Sequence, residues 1–296
     1  MRSQGSFQRD FWFIVAASVA WGTVGVANQA IYAHTATNAL SLAFFRLAIA
    51  APLFLIACLR LLGRRFLSIK LRDLGVMVLM GAMQALYQAS YSAAIAYSGV
   101  TISTLIALCV APIIVVLCST FLMHERPTRS TLLALLCAFF GTILLVVSRT
   151  DPQQGNFSLV GIGLALLSAT GYAAFILFGR LFTTSYHSVQ INFVAFGTGA
   201  LILLAFALPG GLVATYPTGD WLLLFYLGSI PTALAYGLFQ AGMRSVSATA
   251  ASIITLFEPL TAALLAWLLF HEQLGPFGIL GGLLLVGALL LLAYKK

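Results

Sequence analysis

The sequence predicts an all-α membrane protein of ten transmembrane helices, built as two five-helix halves with opposite orientations in the bilayer. Three observations predict it: apolar runs about as long as a bilayer is thick, basic residues confined to alternate connections, and residues that recur at an offset of 147 positions.

The apolar runs come first. Hydrophobic residues make up 61% of the 296, charged residues only 7%, and mean hydropathy is +1.04. A soluble domain carries about a quarter charged residues, so water is not the only solvent. The runs are roughly 20 residues long, enough to cross a ~30 Å hydrocarbon core as helix. They are continuous and lack apolar/polar alternation, which excludes a strand barrel. The first run, Phe11 to Ile31, is too long for a signal-peptide core and lacks a small-residue cleavage site, so no cleavable leader is expected. Cys58, Cys109, Cys118 and Cys137 all fall within runs and read as reduced small hydrophobes. No metal and no cofactor is expected.

In chain order the predicted spans are 11–31, 39–60, 74–97, 101–123, 129–148, 158–181, 189–208, 219–243, 248–270 and 276–294. The connections are short and leave no room for a soluble domain. With the N-terminus inside, cytoplasmic segments hold Arg2, Arg9, Arg60, Arg64, Arg65, Lys70, Arg72, Arg126, Arg129, Arg180, Arg244, Lys295 and Lys296, which is 13 of the 15 basic residues. The outer loops hold only Arg149, and Arg46 lies within a span. Such an asymmetry orients membrane insertion. Both termini are expected in the cytoplasm of a bacterial inner-membrane protein. The net charge of +8 is therefore an insertion signal for a lipid bilayer, and nucleic acid is not an expected partner.

The halves, 1–150 and 151–296, repeat. Ser98–Glu125 aligns without gaps on Ser245–Glu272, matching Pro112 with Pro259 and His124-Glu125 with His271-Glu272. Trp21 falls near Tyr172. Each half holds five spans, and an odd number forces the second to enter from the opposite side. That architecture recurs in secondary transporters, with the binding site between the repeats near the bilayer midplane. The adjacent His-Glu side chains point about 100° apart on a helix, so they read as interfacial caps and not as metal ligands. Gly278-xxx-Gly282 in the last span is a helix-packing pattern, placed against span 5 or at a dimer contact. A monomer is favoured because the repeats complete each other.

Several segments carry a family resemblance. Ala233–Leu274 contains AYGLFQAGMRSVSATAASIITLFEPLTAALLAWLLFHEQL, followed by a Gly-rich last helix. The first half holds Trp21-Gly22, FFRLAIAAP (Phe44–Pro52) and AIAYSGVTISTLIALCVAP (Ala94–Pro112). Over nearly its whole length the chain resembles the drug/metabolite transporter superfamily, in the branch with two EamA-type repeats. Within it the pattern is most similar to bacterial exporters of aromatic amino acids. Arg46 resembles the family's span-2 arginine. One departure is that the acidic residue before the proline occurs only in repeat two, as Glu258; Ala111 stands at the matching place.

Candidate binding residues follow from helical spacing. In span 3, Gln84, Tyr87, Gln88 and Tyr91 fall at i, i+3, i+4 and i+7, one side of a helix. Such a face avoids lipid, so it looks into a lumen or makes interhelical hydrogen bonds. Span 8 carries Tyr236 and Gln240, span 6 Tyr172 and Phe175, and span 1 Trp21, Asn28 and Gln29. Together they describe an aromatic cavity with a few amides and hydroxyls, suited to a solute with an apolar or aromatic body. Trp12, Trp221, Tyr226 and Tyr294, near span ends, read as interfacial belt residues. Two ionisable residues sit at membrane depth, where function is the default reading. Glu258 suits a substrate ammonium or a proton, or a structural bond to loosened backbone. Arg46 reads as a structural charge more than as a carboxylate contact. Pro112 and Pro259 are expected to kink spans 4 and 9 symmetrically and to shape the gates.

The function these features point to is secondary export of small metabolites, with aromatic or hydrophobic amino acids first, by alternating access. Alternatives are export of hydrophobic cations and exchange of phosphorylated sugars or nucleotide sugars; the latter needs several lumen cations, and only Arg46 is available. No GxxxxGK[ST] loop marks ATP drive. An enzyme is not expected: no histidine lies deep in a span, and HExxH and GxSxG are absent. A channel would need a polar filter, and none is visible.

Overall fold

The computed structural model describes residues 4–125, 127–148, 158–183, 185–270 and 275–293, with their side chains except at 4, 5, 100, 101 and 270. Arg2, Arg126, Arg149, Lys295, Lys296, the His271-Glu272 pair and Tyr294 lie outside the described residues.

Helix after helix ends close to where the apolar runs end. Span 1 is two helices, α1 (Gln4–Gly22) and α2 (Val24–His34), meeting at Thr23. α3 (Ala39–Leu62) leads through a 3-10 turn (Gly63–Leu67) into α4 (Leu71–Leu122), then α5 (Arg129–Val147). The second half holds α6 (Leu159–Phe182), α7 (Ser188–Ala207), α8 (Thr218–Gly228), a π-helical segment (Ser229–Leu234), α9 (Ala235–Gly242), α10 (Ala248–Ile254), α11 (Phe257–Phe270) and α12 (Pro276–Ala293). Several starts are fixed by side-chain caps. Asn38, Thr128, Ser158 and Ser247 accept hydrogen bonds from the third backbone N–H that follows each, satisfying donors the helix leaves orphaned.

α4 contains spans 3 and 4. Its backbone leaves helical geometry only at Gly99, at φ 75° and ψ 168°, a region open in practice to glycine alone. The Tyr91 hydroxyl and Thr104 Oγ1 lie 2.6 Å apart. Thirteen residues of straight helix would separate them by about 20 Å, so the chain reverses at Gly99. Among the described residues nine helical stretches are long and apolar enough to cross a membrane. The tenth span, 71–98, falls short because it carries the polar row at Gln84, Gln88, Ser90 and Tyr91. All of these face protein, and Gln84 is fully buried.

Hydrogen bonds sort the connections into two ends. At one, Tyr186 donates to Asp73, Gln190 to the Phe66 carbonyl, and Ser245 to Asp10. At the other, Thr35 donates to Asp220, Asn38 to the Gly211 carbonyl, and Thr37 bonds Tyr216. The first end carries every described lysine and arginine except Arg46 and is called the basic end. The inverted repeat is visible at matched serines. Ser98 Oγ donates to the Ser158 carbonyl at the start of α6, and Ser245 Oγ to Asp10 in the first half of α1, at opposite ends.

Glycines set the closest approaches. A Cβ at Gly281 in α12 would lie 2.6 Å from the Gly141 carbonyl oxygen in α5. The last helix thus seats on α5 within the chain at Gly281, which is not part of the Gly278-xxx-Gly282 pattern; a Cβ at Gly282 would meet Leu260 of α11 at 3.1 Å.

The two prolines differ in local structure. Span 9 is interrupted between α10 and α11, just before Pro259, whereas the helix through Pro112 keeps helical backbone angles. Pro259 offers no N–H to the Thr255 carbonyl, which accepts from Glu258 N at 3.0 Å instead. The Thr255 hydroxyl also bonds back to the Ser252 carbonyl. Repeat one has Leu108 at the position of Thr255, so the same proline sits in a different local network.

Candidate functional site

A cavity of about 510 Å³ lies between the repeats, in the half of the bundle away from the basic end. Each wall follows from helical spacing on an element whose other side faces lipid or packed helix. The lining joins Trp21, Asn28 and Gln29 of span 1 with Arg46 of α3, and Tyr87, Gln88 and Tyr91 of α4. Tyr172 of α6, Tyr236 of α9 and Glu258 of α11 complete it. The rings are coupled. Tyr87 lies 5.2 Å from Tyr172 and 6.2 Å from Tyr91, and Trp21 lies 4.8 Å from Tyr236, between ring centroids.

The cavity is lined by one basic and one acidic side chain, Arg46 and Glu258. Among the described residues, neither Arg46 nor Glu258 forms an ion pair, with the other or with any third group. The Arg46 guanidinium, almost fully buried, donates from Nε to Thr232 Oγ1 at 3.3 Å. Removing ionised groups from water is costly unless a partner is supplied, so a solute with complementary charges gains from entering.

Other expected residues sit one turn deeper, toward the basic end. Gln84 is fully buried and donates to the Tyr236 hydroxyl at 3.1 Å. Phe175 packs 5.6 Å from Tyr236 and 6.2 Å from Phe196. Gln240 donates to the Gly179 carbonyl at 2.6 Å. With Phe239 and Asn192, whose amide donates to the Tyr236 carbonyl, they form a packed floor. The structure thus divides the expected binding residues into wall (Trp21, Tyr87, Gln88, Tyr91, Tyr172, Tyr236, Glu258) and floor (Gln84, Phe175, Gln240). Pro112 and Pro259 line neither. Tyr32, Ser92 and Thr104 line the cavity and were not singled out by sequence; Thr104, a turn beyond the reversal at Gly99, joins the wall only through that reversal. Tyr226, read from sequence as a belt residue, bonds Thr23 at 2.7 Å across the break in span 1.

The EamA-like transporter family profile matches the chain twice, over residues 10–147 and 159–294. The chain belongs to this family. It is 31% identical over 287 residues to YwfM, an uncharacterized transporter of Bacillus subtilis (strain 168), covering 96% of this chain and 94% of that one. It is 32% identical over 278 residues to an uncharacterized transporter of Archaeoglobus fulgidus, covering 94% of each. A solved structure superposes with a TM-score of 0.81 at 18% identity over 95% of both chains, a likeness of fold. The protein is accordingly a multi-pass membrane transporter of two EamA repeats.

In this family member the basic end is closed by direct bonds between the repeats. Arg180 in the last turn of α6 donates across to the Glu125 carboxylate at 3.1 Å, and within its own repeat to the Met243 carbonyl. The other Glu125 oxygen accepts from the Ala248 N–H at 3.1 Å, at the start of α10. Ser119 and Thr249 share a hydrogen bond of 2.9 Å one turn inward. Glu125 caps a helix, as the sequence suggested for the His-Glu pairs, but the helix belongs to the other repeat.

Proposed function

We propose that this transporter exports small metabolites, first of all aromatic or hydrophobic amino acids, by alternating access through the cavity between its repeats. The observation that carries the reading is that Arg46 and Glu258, neither in an ion pair among the described residues, line one aromatic-walled cavity of about 510 Å³. An α-amino acid presents a carboxylate for the guanidinium, an ammonium for the carboxylate, and a side chain for the rings. A hydrophobic cation satisfies Glu258 and the rings but leaves Arg46 buried and unpaired. A sugar phosphate carries two negative charges into a cavity with one cation. Both fit less well.

Positive-inside orientation places the basic end, and both termini, in the cytoplasm of the bacterial inner membrane. The cavity then opens outward, and the Glu125–Arg180 end is the closed inner gate. The chain acts as a monomer, since walls and floor both come from its own repeats. Single cysteines in place of Ser68 and Ser130 should label only from the cytoplasm; labelling from outside would reverse the orientation.

The test of substrate is counterflow in liposomes preloaded with individual amino acids, with and without a pH gradient. Saturable exchange of phenylalanine, tyrosine, tryptophan or the branched amino acids is expected. Exchange of none of them, by protein that retains its fold, would refute the substrate class and leave the architecture standing.

A further inference from the structure

Arg46 is the one cation among the described residues inside the bundle, and what fixes its direction is a proline-threonine pair in the opposite repeat. Pro231 lies in the π-helical segment Ser229–Leu234. It has no N–H, so the carbonyl four residues earlier, Leu227, lacks its usual α-helical donor. The next residue supplies one: Thr232 Oγ1 donates to the Leu227 carbonyl at 2.7 Å, a five-residue reach that matches the π turn. A hydroxyl has one proton, and here it is committed to Leu227. Toward Arg46 Nε, at 3.3 Å, Thr232 can only accept. Thr232 is fully buried, so no bulk water competes for either bond.

The geometry leaves the guanidinium half used. Nε is held by Thr232, while the edge formed by the two terminal nitrogens has no carboxylate within ion-pair distance among the described residues. That edge matches a carboxylate with two parallel hydrogen bonds. π turns recur at functional sites, where they re-aim side chains.

We propose that Thr232 is a positioning residue, presented by the π turn, that turns the free edge of Arg46 into the cavity to receive the substrate's carboxylate. The assignment rests on the amino-acid reading above. It makes Arg46 a recognition group and not only an anchor, and it gives Pro231 a reason: its missing N–H is what recruits the threonine hydroxyl.

Thr232→Val keeps the shape and removes the hydroxyl; Thr232→Ser keeps the hydroxyl. Losing one hydrogen bond to a charged group corresponds to about tenfold in affinity. In counterflow assays T232V should raise the KM for phenylalanine about tenfold, T232S should restore it, and the KM for phenylalanine methyl ester, whose carboxyl is uncharged, should stay within about twofold of the parent. Melting temperatures of both variants check that folding is intact. An unchanged phenylalanine KM in T232V, or an equal rise for acid and ester, would overturn the positioning role while the substrate class stands. If the parent moves no amino acid at all, the substrate class fails, and this assignment with it.

Discussion

Glu125 and Arg180 meet at 3.1 Å at the basic end, and the same carboxylate accepts the Ala248 N–H at 3.1 Å. One side chain of repeat one thus holds the end of α6 and the start of α10, both in repeat two. Hydrogen bonds to a charged group contribute about 1.5–3 kcal/mol each, enough to shift a two-state gate by tenfold or more. Glu125→Ala is expected to loosen this end. With the native cysteines replaced and one cysteine put at Ser252, a buried position in α10, an impermeant maleimide on the basic side should react about tenfold faster in E125A. Equal rates would show that the pair does not hold the end shut.

The glycine seam between α5 and α12 predicts a local intolerance. Gly281→Ala sets a methyl group 2.6 Å from the Gly141 carbonyl oxygen, and overpacking of this kind costs about 1–3 kcal/mol. Gly287, in the same helix, has nothing within 4 Å of an added Cβ. G281A should melt several degrees lower in detergent, and G287A should match the parent or exceed it, since alanine favours helix. Matching losses would mean that the seam is not set by backbone approach.

The reversal at Gly99 predicts a second one. At φ 75° and ψ 168° a side chain costs about 1–3 kcal/mol. Gly99→Ala should lower the melting temperature. The further loss on adding Tyr91→Phe should be smaller than the effect of Tyr91→Phe alone, because a strained turn no longer holds Tyr91 and Thr104 in register. A double-mutant cycle reads this coupling; strict additivity would separate the turn from the bond.

The span limits were legible because an apolar run in lipid must be helix over about the bilayer's thickness. The polar face of span 3 was legible for the same reason: Gln88 and Tyr91 face lipid only at a cost, so their shared side had to be interior. Depth along the axis was harder. Gln84 and Gln240 share the faces of Tyr87 and Tyr236, yet they lie in the floor, because this state packs the layer nearest the basic end. A sequence serves both states of a gate and cannot mark which layer is shut. Thr232 was not legible at all. Its place needs a π turn around Pro231 and a contact with Arg46 from the other repeat, and neither is written in local sequence. Glu125 was read as a helix cap, but which helix it caps depends on how the repeats dock.

Pro112 and Pro259 are matched in sequence and unmatched in structure, and the difference gives the last prediction. Two inverted repeats exchange conformations between states, so the break now before Pro259 is expected before Pro112 when the cavity opens to the basic end. A proline inside a helix costs about 3 kcal/mol through its missing donor and its clash with the preceding turn. Replacing it by alanine favours the unbroken helix. Pro259→Ala should disfavour the present state, in which Thr255 and Leu256 interrupt span 9, and Pro112→Ala should disfavour the opposite one. Both variants should lose transport, for opposite reasons. A cysteine in place of Ile95, which lines the cavity, reports the direction: labelling from the cavity side should rise in P112A and fall in P259A. Shifts of the same sign in both would contradict an exchange of helix breaks between the repeats.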